Sequence, residues 1–223
     1  MEKVFSALRN NIGLWLAFSL LLTGCEHVAK LPYYNSKDFT PMWIKPSAAT
    51  SLHRIAPFSF VDQNGQPVTE KTVAGKISVA NFMFTGCPGL CPRMTTNLET
   101  VQKAFEHDST VVLISHSVAP ESDSIPALKR FAAEHHAVDG QWHFVTGDRA
   151  AIYRTARESY FADEAGSVPD AGGDFLHTEK VFLVDDNGHL RGVYNGELPT
   201  EMERLKEDIR TLKRAFFRAA PPQ

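Results

Sequence analysis

Asn81-Phe82-Met83-Phe84-Thr85-Gly86-Cys87-Pro88-Gly89-Leu90-Cys91-Pro92-Arg93-Met94 is the stretch on which the fold turns. Its first part belongs to the run Lys76 to Phe84, where Ile77, Val79, Phe82 and Phe84 stand among small residues. A continuous apolar run of that length reads as a strand buried on both faces. The second part reads as a helix: Pro92 suits a first turn, where a missing donor costs nothing, and Leu98, Val101, Gln102 and Phe105 continue at helical spacing. Cys87 and Cys91 therefore lie where a buried strand hands over to a helix N-terminus. Unpaired amide donors and the macrodipole favour a thiolate there. Four residues along a helix is a rise of about 6 Å, within the Cα separation a disulfide tolerates. Two uses stay open, redox exchange and the clasping of a soft metal ion, and a third ligand elsewhere would favour the second. His177 is the candidate.

Working outward, Phe58-Ser59-Phe60-Val61 alternates and runs into Asp62-Gln63-Asn64-Gly65, whose Asn-Gly pair is a strong hairpin signal. Thr110 to Ser115 is a second apolar strand. Pro126 to His135 reads as a helix with Leu128, Phe131 and Ala132 on one side. Trp142 to Val145 is a short strand, followed by a helix over Arg149 to Tyr160 capped by Asp148. After a loop rich in Gly, Asp and Pro, Val181 to Asp185 and Leu190 to Tyr194 flank Asp186-Asn187-Gly188 as the clearest hairpin in the chain. Glu201 to Arg218 is a charged amphipathic helix. Strands alternating with helices, then a hairpin and a last helix, predict an α/β fold with a mixed central sheet covered on both faces and an added N-terminal hairpin. This order is the thioredoxin plan.

The leader sets the compartment. Lys3 and Arg9 precede the eleven-residue apolar run Ile12 to Leu22, which is signal-peptide length and short for a bilayer span. It ends in Leu22-Thr23-Gly24-Cys25, a resemblance to the lipobox of bacterial lipoproteins that implies lipidation of Cys25 and a mature chain starting there. An uncleaved signal anchor is the alternative. Either way the folded part lies outside the cytoplasm. The expected organisation is a signal peptide over residues 1–24, a lipidated N-terminus and tether over 25–53, whose aromatic residues between Tyr33 and Ile44 either dock on the domain or rest near the membrane surface, a domain over 54–218 and a tail over 219–223. About 200 mature residues suit one domain with a substantial core. The net charge is -3 and basic residues are scattered except in the last helix, so no electrostatic footprint for nucleic acid is present. With Cys25 committed to an anchor, Cys87 and Cys91 pair with each other or stay free. An oxidising compartment favours the disulfide unless a reductant or metal intervenes.

Phe82 to Pro92 resembles the Cys-Pro-x-x-Cys-Pro signature of the SCO/SenC proteins, thioredoxin-fold copper proteins that help assemble the binuclear copper centre of cytochrome c oxidase. Ser117-Val118-Ala119-Pro120-Glu121-Ser122-Asp123 resembles that family's stretch after the next strand. Asp174-Phe175-Leu176-His177-Thr178-Glu179, followed by a strand and Asn187-Gly188, resembles its histidine segment. The resemblance spans most of Phe58 to Tyr194. It implies that Cys87, Cys91 and His177 bind one copper ion, as Cu(I) or Cu(II), on the periplasmic side of a membrane. The implied partner is the copper-centre subunit of cytochrome c oxidase or another copper acceptor. Ligand chemistry agrees, since thiolates select Cu(I) and a neutral imidazole completes three-coordination; zinc accepts the same donors. Ala119 departs from the pattern, standing where many members carry aspartate.

Other soft or titratable residues have competing readings. His116 ends the second strand, either as an auxiliary ligand or a donor that orients a ligand, or as a loop histidine bonded to backbone. Met83 and Met94 are soft but read as packing residues. Glu179 is placed to orient the His177 imidazole, although solvent exposure is its commoner state. Three functions compete. The first is a copper-binding assembly factor. The second is a thiol-disulfide oxidoreductase with Cys87 attacking and Cys91 resolving. A thiol peroxidase is the third, and Ala80 and Phe84 stand where its motif needs Pro and Thr. The absence of proline between Asp170 and Pro199 weakens general disulfide exchange, because thioredoxin oxidoreductases usually place a cis-proline near there.

Overall fold

The structure, a computed structural model, describes residues 31–162 and 178–219, with side chains to 215. Its centre is a five-stranded sheet formed by β5 (Ile77–Met83), β6 (Val111–Ser117), β7 (Trp142–Val145), β8 (Lys180–Val184) and β9 (Leu190–Asn195), in the order β7-β6-β5-β8-β9. β5, β6 and β7 run parallel, while β8 and β9 are antiparallel additions. The parallel crossovers need helices, and these are α2 (Leu90–Ala104) and α3 (Ile125–Glu134). Every residue of β5, β6 and β7 is buried, as continuous apolar runs predict.

The two faces are covered differently. α2, α3 and the terminal helix α5 (Pro199–Ala219) pack Leu98, Val101, Leu128, Met202, Leu205 and Ile209 against Val79, Met83, Leu113 and Leu183. The opposite face meets α4 (Arg149–Arg154), the π-helical turn Thr155–Ser159 that continues it, and the hairpin of β3 (Ser59–Val61) and β4 (Pro67–Thr69). The short helix α1 (Glu70–Val73) follows that hairpin.

Turn chemistry explains the local geometry. Gly65 takes φ +71° in the β3–β4 turn, which Asp62 closes by accepting from the amides of Asn64 and Gln66, each at 2.9 Å. The neighbouring Gln63 side chain donates to Trp142 O at 3.0 Å and accepts from Phe144 N at 2.8 Å. It thereby supplies backbone-like partners to β7, an edge strand that would otherwise present open donors and acceptors. Asp148 caps α4 as expected, accepting from Ala151 N at 2.8 Å.

Two features exceed the sequence reading. β6 runs through His116 and Ser117 instead of ending at Ser115. Residues 31–53, assigned to a tether, include a strap packed on the domain: β1 (Tyr33–Tyr34) pairs with β2 (Pro41–Met42), and Tyr33 is buried. A 3-10 turn, Pro46–Ser51, follows. The leader, with Cys25, lies outside the described residues.

Candidate metal centre

β5 exits the sheet at Met83 and the chain crosses Phe84 to Gly89 before α2 begins at Leu90. Cys87 therefore sits in the turn ahead of the helix and Cys91 in its first turn, so their spacing is that of a loop-to-helix step and not of four helical residues. Pro92 occupies the first turn as expected. The helix has Gly89 at its N-cap and no side-chain capping bond. Cys87 takes the acceptor's place, with Cys91 N donating to Cys87 Sγ at 3.3 Å. Both cysteines are free thiols.

This geometry separates the two sulfurs electrostatically. Burial works to raise the Cys87 pKa, but the amides of Cys91, Gly89 and Leu90 together with the Cys91 thiol outweigh it and hold it below the ordinary value. Cys91, 4% exposed, is pushed up to about 12, chiefly by burial and further by Cys87 and Asp123. At neutral pH the pair consists of an accessible sulfur poised toward thiolate and a buried one kept as thiol.

The loop is held from beneath by Asp123, which is fully buried. Its carboxylate accepts from Thr85 N at 3.2 Å, from Thr85 Oγ1 at 2.6 Å and from Ser117 Oγ at 2.6 Å. Thr85 is two residues before Cys87, so Asp123 fixes the approach to the nucleophilic sulfur. In the sequence Asp123 stands out only as the last residue of the family-like stretch that starts at Ser117. Its signal was present in Ser117 to Asp123, but the pairing with Thr85 is tertiary.

A second support is the turn between β9 and α5. Gly196 N donates to Glu179 O at 2.7 Å, and Asn97 Nδ2 donates to Gly196 O at 2.9 Å. Arg93 pairs with Glu197 across the same junction. A Cβ on Gly196 would meet Met94 Cγ at 2.5 Å and Val181 Cγ2 at 2.9 Å, so only glycine lets this turn seat on α2. It joins the cysteine helix to Glu179, two residues beyond His177. Met83 and Met94 are core residues, 1% and 0% exposed, in keeping with their packing role.

His177 lies outside the described residues, as does most of the Phe161 to Asp174 loop. The register Asn81↔Val181 carries Thr178, which is buried, toward the Phe84 end of β5, where the cysteine loop begins. No group of three or more His, Cys, Asp or Glu side chains suited to a metal occurs among the described residues. Cys87 and Cys91 fit two places of a soft-metal site, and a third protein ligand has to come from elsewhere.

His116 departs from both of its sequence readings. It is fully buried in β6, paired in register with Phe82, on the face opposite α2. Its ring stacks on Phe82 at 5.0 Å between centroids and meets Phe58, Phe60 and Tyr160. Neither ring nitrogen has a hydrogen-bond partner. Burial drives its pKa down to about 3, so it is neutral, and the sheet separates it from the cysteines. Four other histidines have structural partners: His53 contacts Ser159 O, His135 Glu99, His143 Asp62 and His189 the His53 carbonyl.

Comparison with known proteins agrees with this architecture. The family model SCO1/SenC matches residues 47–214. A SCO1/SenC family lipoprotein from Bacillus anthracis str. Ames is 30% identical, with 72% of this chain and 95% of that chain covered at a TM-score of 0.65. BsSco, a member of the Sco family of cytochrome c oxidase assembly proteins in which a disulfide switch has been identified, is 30% identical over 72% and 93% of the two chains, TM-score 0.61. ScoI of Bradyrhizobium japonicum, solved with copper bound, is 29% identical over 70% and 96%, TM-score 0.56. These neighbours share the thioredoxin-like fold.

Proposed function

The chain belongs to the SCO1/SenC family, and from that premise we propose that it is a membrane-anchored, extracytoplasmic copper-binding protein that assists assembly of the copper centre of cytochrome c oxidase. The copper-bound relative and the oxidase-assembly relative support this reading. One copper ion per chain is held by Cys87, Cys91 and His177, and the acceptor is the subunit carrying the copper centre. The lipoprotein relative and the lipobox-like Cys25 support the anchor.

The observation that carries the proposal is the pairing of Cys87 Sγ with the amides at the head of α2, beside a second thiol. Two adjacent sulfurs make a soft donor pair, and the described residues add no third ligand. Cys87 offers a sulfur already biased toward thiolate. Cys91 stays protonated at neutral pH and releases its proton only on ligation, so binding strengthens as pH rises. Bound copper supplies a soft, redox-active centre. Asp123 holds Thr85, and through it the approach to Cys87, and would steady the two sulfurs that hold the ion.

The same asymmetry supports a second reading, thiol-disulfide exchange with a partner protein. Cys87 thiolate attacks a partner disulfide, releases one partner thiolate and forms a mixed disulfide. Cys91 then displaces the second partner sulfur, and closure of Cys87–Cys91 leaves the partner reduced by two electrons.

Copper titration of the reduced protein separates these readings. The first predicts one ion per chain, no binding by Cys87→Ser or Cys91→Ser, and weakened binding with an altered Cu(II)–sulfur charge-transfer band in His177→Ala. An unchanged affinity and band in His177→Ala rejects the three-ligand site. Turnover of a disulfide substrate by metal-free protein, insensitive to His177 and lost in Cys87→Ser, selects exchange.

A further inference from the structure

Arg191 fixes the point where the chain enters the folded domain. Its guanidinium donates to Leu31 O at 2.7 Å, Pro32 O at 2.9 Å and Asp185 Oδ2 at 2.9 Å, and lies 3.8 Å over the Tyr33 ring. Three of these contacts tie the strap to β9 through one largely buried cation, and Asp185 neutralises it. Leu31 is six residues after Cys25, a contour of about 20 Å even when fully extended. With Cys25 acylated, this edge of the domain stays within about 20 Å of the lipid surface.

Among the described residues, that edge presents an indole open to solvent. The antiparallel register Tyr33↔Met42 and Tyr34↔Pro41 leads Trp43 to the position opposite Pro32, beside the entry point. Trp43 is 67% exposed, the most exposed of the two large apolar side chains open to solvent among the described residues. Pro41, two positions back, is exposed too, and Lys45, two positions on, is an exposed cation. Tryptophan suits a membrane–water interface because its ring is apolar while its N–H still needs a polar partner. Lysine beside it suits lipid phosphates.

We infer that Trp43 rests in the headgroup layer of the membrane that holds Cys25, so that the β1–β2 edge faces the lipid and the domain keeps a set orientation on its short leash. This rests on the lipoprotein reading of Cys25 and is independent of the copper ligands.

Tryptophan fluorescence tests it with the intact mature chain. Of the three tryptophans, Trp15 precedes Cys25, and Trp142 is 0% exposed in the core. Trp43 is therefore the environment-sensitive reporter. The acylated protein is reconstituted into phosphatidylethanolamine–phosphatidylglycerol vesicles with or without brominated acyl chains. Bromine quenches a large share of wild-type emission and leaves Trp43→Phe, which reports Trp142 alone, unchanged. Wild-type emission indifferent to bromine and fully open to aqueous iodide overturns the inference. So does a blue shift that bromine does not quench and that grows with protein-to-lipid ratio, which assigns the indole to a second copy. Mass spectrometry of the mature N-terminal peptide reads the premise separately, and an unmodified Cys25 removes the leash and the inference with it.

Discussion

Around the cysteine loop and around His116, on opposite faces of the central sheet, buried polar side chains meet opposite surroundings. On the cysteine face, polar groups are chained: Trp142 Nε1 donates to Ser115 Oγ, which donates to Asn81 Oδ1, while Ser117 and Thr85 converge on Asp123. On the other face, His116 is enclosed by aromatic rings with no hydrogen-bond partner at either nitrogen. Burial is comparable at Cys91 and His116, and in each it favours the neutral form. Cys87 differs because backbone donors meet its sulfur. Reactivity in this fold follows from donors at a helix N-terminus and not from burial.

The comparison breaks first at Asp123. Asp123→Ala leaves the Thr85 amide and the Ser117 hydroxyl without their acceptor, and the expected loss of stability in urea denaturation is about 3–5 kcal/mol. Asp123→Asn, which keeps an acceptor oxygen, should recover part of it. Equal stability in the alanine variant would mean that the cysteine face does not depend on its polar chain.

His116 gives the next effect. Its folded pKa, about 3, lies below the ordinary histidine value of 6.5, so the unfolded state binds the extra proton and stability is lost as pH falls from about 6.5 toward 3. Stability above that window is unaffected by this group. At pH 4 the loss is on the order of 3 kcal/mol. His116→Phe should flatten that acid limb in denaturation curves. An acid limb identical to wild type would show that His116 is not held neutral by the aromatic face.

Gly196→Ala sharpens the picture on the cysteine side. Its Cβ must displace Met94 or Val181, at a cost of about 1–3 kcal/mol. The shift of α2 relative to Glu179 should also weaken copper binding, which competition titration measures. Unchanged binding would uncouple that turn from the site.

The smallest effect leaves stability untouched. Alkylation by iodoacetamide should mark Cys87 first, with a half-maximal rate below pH 9, the ordinary thiol value, while Cys91 remains unmodified across that range. Parallel modification of both cysteines would erase the asymmetry between them.

Much of the fold was legible because the signals are local. Asn64-Gly65 and Asp186-Asn187-Gly188 announce hairpins through their turn chemistry, Asp148 announces a helix start, and the apolar runs Lys76 to Phe84 and Thr110 to Ser115 announce buried strands. The failures have equally local causes. Ending the second strand at Ser115 hid the alternation Val112, Ile114, His116 that points His116 into the aromatic face. Docking of the tether's aromatic residues was one of the two readings offered, but its paired strands eluded periodicity because strands of two residues carry none; Arg191, more than 150 residues away in sequence, holds them in place.

By itself the sequence determined the thiol pair at a strand-to-helix junction, the element order and the copper-family resemblance, because each rests on neighbours within a few residues. Tertiary structure alone decided which sulfur is poised as thiolate, which carboxylate holds the loop, which face receives His116 and where Trp43 emerges. Those outcomes depend on desolvation and on donors brought from distant segments, and such quantities exist only once the chain has folded.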